Sequence, residues 1–501
     1  MKQFNDITRH AKTVIVALGF SSLAAMAAGP DPQTPAAQAD ATGPVKGIFL
    51  PPETQTGLTP PGVASLGIQP PPGGPPPRMG PLSKLGDALE EHGVDLGLFL
   101  ANGHFANPSA GVSTGNSVDY FEASLSANAD LHKLIGIPNT KIHFTEAWQP
   151  PSNNTAKFSS QVAAALAPFP PTQTNSSLVK LTLSHDFLDD KLHVEYGRMN
   201  LTDDFMVANM CTGCFAATPL ITLGVPPRDR SLLGARTSYA LSPNTRLGFA
   251  VVEDNYDLQS TSNGWDWNAN TRKGWIGVAN LMHKTEFFDN PHPLNAEVGI
   301  YHNTSPYVDG NSFPVPIVLP GGGVIPVVTH DGGTWGLYGQ ARKVVWKAAD
   351  APPGPFPPNV ALYGGAYVTP GAGQAFPFEA YAGVEYGGFL KDNPIASIGS
   401  TWRYLQLSKE RASFEEQHGY GSIPPSPFGP GSSGSPVPRD TFAFDVHGQY
   451  GIAPGVLVNA VVQYFLNPNR MGPSLSVGDT HSGWLFGVFL VADIGRITGL
   501  R

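Results

Sequence analysis

Charge is scarce in this sequence: 14% of its 501 residues are Asp, Glu, Lys or Arg, against roughly 25% in ordinary soluble domains. Beyond the N-terminus no run of about 20 apolar residues occurs, which excludes a helical membrane protein. The Ala, Glu, Lys and Leu enrichment of a coiled coil is absent. So is a basic excess: 30 Lys and Arg stand against 39 Asp and Glu, a net charge of -9, which gives no basic face for nucleic acid. Cysteine occurs only as Cys211 and Cys214, too few for a disulfide-stapled scaffold. What abounds is Gly, with 57 residues, and Pro, with 50, beside 10% aromatics. The aromatics speak against a wholly disordered chain. A large, turn-rich β protein remains.

Lys2, Arg9 and Lys12 precede the short apolar run Val14 to Phe20, which leads to Ala25-Met26-Ala27. Charged region, apolar region and small residues in that order describe a secretory signal, with residues 1–27 removed on export. Pro30 to Pro77 then holds 14 prolines. Proline fixes φ and donates no backbone hydrogen bond, so residues 28–80 read as an extended, disordered spacer. The remaining 81–501 form one domain.

That domain alternates. From Phe121 to Leu131 every odd position is apolar and every even one polar. A strand sends alternate side chains to opposite faces, so one face is greasy and the other wet. Eleven residues is the length a tilted strand needs to cross a bilayer, whereas soluble strands average about five or six. Val179 to Ser184 alternates likewise, turns at Leu188-Asp189-Asp190-Lys191, and resumes over Leu192 to Tyr196. A second hairpin runs from Arg236 to Leu241, turns at Ser242-Pro243-Asn244, and returns over Arg246 to Val252. Further strands are expected around Gly277, Gly299, Leu337, Tyr381, Thr401, Phe444, Val458 and Phe486. Short turns at one end and long Gly/Pro-rich loops at the other describe an all-β transmembrane antiparallel up-and-down β-barrel. Aromatics near strand ends (Tyr120, Trp148, Tyr196, Trp275, Tyr301, Trp335, Trp346, Tyr386, Trp402, Tyr464 and Trp484) suit bilayer interfaces.

Several ordered segments resemble the carbohydrate-selective porin family (OprB-like): Lys84 to Val94, a short helix and Gly ahead of the first strand; Tyr196-Gly197-Arg198-Met199-Asn200 with Asp204-Phe205; Gly336 to Ala341; Tyr386 to Phe389 with Asp392-Asn393 and Ser397 to Gly399; and Glu415-Glu416 followed by Val462 to Pro468. The resemblance runs from about residue 82 to 490. It implies a 16-stranded barrel that passes sugars across the bacterial outer membrane by diffusion, with no cofactor and no catalysis. The partners it implies are small sugars, outer-membrane lipid and the outer-membrane assembly machinery, and a homotrimer is compatible with it. One departure stands out: such porins usually end on an aromatic, whereas this chain ends Ile497-Thr498-Gly499-Leu500-Arg501, so the last strand is expected over Trp484 to Ile494.

A pore needs a constriction whose polar groups replace sugar hydration weakly enough for release. The candidates are wet-face residues Glu122, Lys141, His143, Lys180, His193, Glu195, Arg236 and Arg342, with Arg198 and Asp204 from the family-like segment and Arg403 from a late strand. The same charges also serve as ordinary pairing that keeps a wall rigid. Cys211-Thr212-Gly213-Cys214 lacks the βαβ setting of a redox motif and the further ligands of a zinc site, so a local disulfide shaping a loop is the expectation. Closing so small a loop is worth about 2 kcal/mol at most. Glu415-Glu416, read as strand neighbours, point to opposite faces and cannot flank one glycosidic bond. No G-x-S-x-G, H-E-x-x-H or P-loop pattern occurs. The competing readings are a secreted β-rich carbohydrate-active hydrolase and a non-conducting adhesion barrel.

Overall fold

The computed structural model describes residues 78, 80–111, 114–150, 176–201, 205, 231–254, 264–265, 267, 274–287, 290–310, 317–318, 324–350, 357–370, 376–418, 437–468 and 481–500. The expected leader 1–27, nearly all of the Pro-rich stretch, Asp204, Cys211 and Cys214 lie outside the described residues.

Sixteen strands close into one antiparallel barrel, each paired with its neighbours in the chain and the last with the first. They are β1 (Val94–Asn107), β2 (Asn116–Asp130), β3 (Thr140–Trp148), β4 (Ser176–Phe187), β5 (Leu192–Met199), β6 (Leu232–Ser242), β7 (Thr245–Asp254), β8 (Gly274–Lys284), β9 (Leu294–Asn303), β14 (Thr334–Lys347), β15 (Asn359–Val368), β16 (Phe378–Gly387), β17 (Ser397–Gln406), β18 (Asp440–Ala453), β19 (Val456–Leu466) and β20 (Gly483–Asp493). Between β9 and β14 two small ribbons form, β10 (Tyr307–Val308) with β13 (Thr329–His330), and β11 (Ile317–Val318) with β12 (Val324–Ile325). Connections at one end are as short as 243–244 and 454–455; at the other they include 149–175, 200–231, 255–273 and 407–439.

Burial runs opposite to that of a soluble protein. On β2, Glu122, Ser124 and Ser126 are buried, whereas Phe121 is 41% exposed. On β20, Trp484, Phe486, Val488 and Leu490 all face outward and are exposed, while the alternate Leu485 and Phe489 are buried. An apolar outer face over a polar lumen is the arrangement of a barrel in lipid. Among the described residues no helix is long and apolar enough to cross a membrane; the strands do so. Exposed aromatics form two girdles. Trp148, Trp275, Trp335 and Trp484 ring the long-loop end, and Phe187, Trp346, Tyr386 and Tyr450 the short-turn end.

Several expectations need correction. Leu131 leaves the strand to open helix α2 (Leu131–Ile135), because the Asp130 carboxylate caps it by accepting from the His132 amide at 2.9 Å. Tyr120 and Tyr301 point inward, not to an interface: Tyr120 stacks on Phe489 with centroids 5.7 Å apart, and Tyr301 is buried. Glu415 and Glu416 lie on helix α3 (Lys409–His418), not a strand. The last strand ends at Asp493, followed by helix α4 (Ile494–Thr498). Helix α1 (Ser83–Glu91), which precedes β1, packs on that tail, where the Leu82 amide donates to the Thr498 carbonyl at 2.8 Å. Gly86 sits so close to Gly499 that a Cβ would collide with its carbonyl oxygen.

Candidate functional site

The lumen wall is built from alternate residues of every strand, and pairing register brings charges together that are far apart in sequence. Glu195 on β5 lies directly opposite Arg236 on β6 and Ser184 on β4. The Arg236 guanidinium donates through Nε to Glu195 Oε2 at 2.8 Å and through a second nitrogen to the same oxygen. Lys180 Nζ sits 3.1 Å from Oε1, and Thr182 donates to it as well. His193 Nδ1 lies 2.7 Å from Asp186, with Nε2 3.6 Å from Glu195. His143 on β3 completes the patch, 2.8 Å from both Asn128 and Ser184. Five of the sequence candidates therefore form one charged wall around Glu195.

The others are dispersed. Glu122 accepts from Gln149 Nε2 at 2.6 Å and from the Tyr120 hydroxyl. Arg342 pairs with Glu385 at 2.7 Å, and Arg403 with Glu379 at 3.3 Å. Lys141 lies on the inward row of β3 near the short-turn end, opposite Asp130 and Ser184. Arg198 is a correction. It shares the strand face of exposed Tyr196 and lies opposite Leu181 and Leu233, the outward row. There it pairs with Glu253 at 3.3 Å and lies 5.2 Å from the Trp267 ring. Burial against Glu253 and Trp267 explains how a charge persists on that side: an unpaired ion facing lipid is costly.

A second wall went unread in sequence. Glu297 on β9 accepts from the Tyr338 hydroxyl at 2.6 Å, from Gln340 Nε2 at 2.9 Å and from Asn280 Nδ2 at 2.9 Å. Gln340 Oε1 accepts in turn from Tyr367 at 2.8 Å and Tyr381 at 3.0 Å, and Tyr363 lies 2.9 Å from Thr401. The rings are seated on glycines of neighbouring strands: Tyr338 on Gly299, Tyr363 on Gly383 and Tyr381 on Gly365. Without a Cβ beneath, a ring lies flat against the sheet. The signal was present in the Gly-Gly-Ala-Tyr run of β15, but glycines there resemble a turn.

The family-like segment also reaches the lumen. Phe205 is buried with Leu201 against inward Ala250, Val252, Ile276 and Val278, which places these two side chains inside the barrel. Among the described residues no three His, Cys, Asp or Glu side chains converge to hold a metal. The arrangement offers paired charges and hydrogen-bonding groups along a channel wall.

The carbohydrate-selective porin, OprB family, matches this chain over residues 119–486. A search of curated proteins gave no match. Among solved structures, the high-pH structure of Pseudomonas putida OprB is similar with a TM-score of 0.64 at 16% identity, covering 81% of this chain and 95% of that one. Its low-pH structure gives 0.47 at 13% identity, covering 81% and 94%. The outer membrane channel DcaP of Acinetobacter baumannii gives 0.43 at 9%, covering 80% and 96%. With the matched region spanning well over half its length, the chain belongs to the carbohydrate-selective porin, OprB family.

Proposed function

We propose that this protein is a non-enzymatic porin of the bacterial outer membrane through which small neutral sugars, glucose among them, diffuse passively after export by its N-terminal leader. The observation that carries this reading is the pairing of lumen charges. Lys180 and Arg236 meet Glu195, Arg342 meets Glu385, and Arg403 meets Glu379. These four cations face three carboxylates, and the lumen carboxylate Glu297 stands on another wall, so mixed signs give local dipoles rather than one strong field of either sign, and a neutral solute gains or loses little by it. Hydroxyl groups exchange water for such donors and acceptors at little net cost, and binding of about 4 kcal/mol, a millimolar affinity, still permits rapid release.

The test is swelling of liposomes that contain the purified protein, with sugars of graded size. Glucose should enter readily, with rates falling as the sugar grows. Liposomes that stay impermeable to glucose while the barrel migrates as a folded species on an unboiled gel would favour an adhesion barrel instead.

A further inference from the structure

One lumen row differs from the two walls in being uncharged and unsatisfied. Ser397 on β17, Gln449 on β18 and Asn459 on β19 lie directly opposite one another in register. His447, two residues before Gln449, lies opposite Gly399 in the next inward row. All four are buried. Neither atom of the Asn459 amide, nor Gln449 Oε1, His447 Nε2 or Ser397 Oγ, has a hydrogen-bond partner. Buried polar atoms are almost always bonded, and each left over costs about 1–3 kcal/mol. Several on one contiguous row point to groups held for an occupant.

The chemistry of that occupant follows from the groups. His447 Nδ1 lies 2.7 Å from the Asp445 carboxylate and donates to it, so in the neutral imidazole Nε2 is an acceptor. Gly399 leaves room for the ring, since a Cβ there would stand 2.5 Å from Nε2. Gln449 Nε2 is held by the Ile395 carbonyl at 3.1 Å, which directs Oε1 elsewhere as a second acceptor. Asn459 adds both a donor and an acceptor, and Ser397 either. Such a set matches a neutral polyol, whose hydroxyls each donate and accept. On the side away from Gln449 the neighbours of Asn459 are apolar: Phe489 is its register partner on β20, with Leu457 and Val461 two residues away on its own strand. Parting them to admit a solute breaks no hydrogen bond of theirs, and the Phe489 ring supplies an apolar surface for the C–H face of a pyranose.

We propose that Ser397, His447, Gln449 and Asn459 form a sugar-hydroxyl binding site on the β17–β19 wall, engaged by the solute in passage. The assignment rests on the sugar-porin reading. The experiment is single-channel current through full-length protein in planar bilayers, titrated with glucose. Asn459→Leu should raise the glucose concentration for half-block about tenfold, the size of one lost bond of about 1.4 kcal/mol. Asn459→Ser, which keeps a polar group and adds no bulk, should raise it less and supplies the answer if Asn459→Leu does not assemble. A wild-type channel indifferent to glucose would remove the sugar-porin reading itself. A glucose-blocked wild type whose half-block concentration is unmoved in Asn459→Ser and in any assembled Asn459→Leu overturns this site alone.

Discussion

Two walls of the lumen are each organised around one buried glutamate, and they satisfy it by opposite means. Glu195 is neutralised by Lys180 and Arg236, with His193 beside it. Glu297 is surrounded by neutral donors, Tyr338, Gln340 and Asn280. The first wall is limited by charge balance. The second is limited by volume, because its rings rest on glycines that leave no space for a methyl group. One barrel thus holds its lumen shape by Coulomb pairing on one side and close packing on the other, and the walls should fail differently.

The largest effect is expected from Glu195→Gln. It keeps the shape and removes the carboxylate charge that Lys180 and Arg236 both meet, and breaking a buried pair from one side costs about 3–5 kcal/mol. The heat-induced shift from folded to unfolded migration on a gel should move to lower temperature, and the reversal potential in a salt gradient should shift toward anion selectivity. Glu297→Gln should cost less, about 1–3 kcal/mol, the size of disturbing its hydrogen bonds from Tyr338, Gln340 and Asn280. Equal losses in the two variants would erase the distinction between the walls.

The comparison presupposes that inward and outward rows are assigned correctly. Leu125 faces Leu98 and Glu146 across the sheet, and Ser126 faces Gly97 and Thr145. Leu125→Arg places a charge toward lipid at about 2–4 kcal/mol near the midplane, so it should impair assembly, whereas Ser126→Arg should assemble and alter conductance. Equal tolerance, measured as the folded fraction recovered from outer membranes, would mean that these rows are not lumen and lipid faces.

Gly299→Ala sharpens the volume side. Its Cβ would collide with the Tyr338 ring, and overpacking costs about 1–3 kcal/mol. A lower melting temperature with unchanged ion selectivity is expected; a selectivity shift would show that this wall too is governed by charge. The smallest effect should come from the turn that feeds the charged wall. Leu188, Asp189 and Asp190 have φ of 58°, 54° and 63°, a left-handed run that glycine adopts without strain. Asp190→Gly should stabilise the barrel by less than about 1 kcal/mol, read as a slightly higher melting temperature, and leave the current alone.

Alternation made most of the barrel legible. Strands with polar residues inward and large apolar residues outward, such as β2 and β4, are plain because the two faces differ in kind. β15 was not foreseen, because its inward row is Tyr363, Gly365 and Tyr367 while Gly364 and Ala366 face out, so hydropathy does not alternate. Glu195 and Arg236 were recognised as wet-face residues, but their pairing depends on register across strands, which periodicity does not set. Arg198 enters the candidates from the family-like segment, although its parity with Leu192, Val194 and Tyr196 puts it on the outward row. The tyrosine wall was hidden because an inward tyrosine and an interfacial one look alike in sequence.

A lumen of mixed and mostly paired charges should pass neutral sugar. Single-channel current in potassium chloride, recorded before and after adding glucose to the same bilayer, tests it most directly. A small current for a 16-stranded barrel, partly blocked by millimolar glucose, is the result expected here. A large current that no concentration of glucose alters would contradict it and leave the paired charges as wall lining in a general porin.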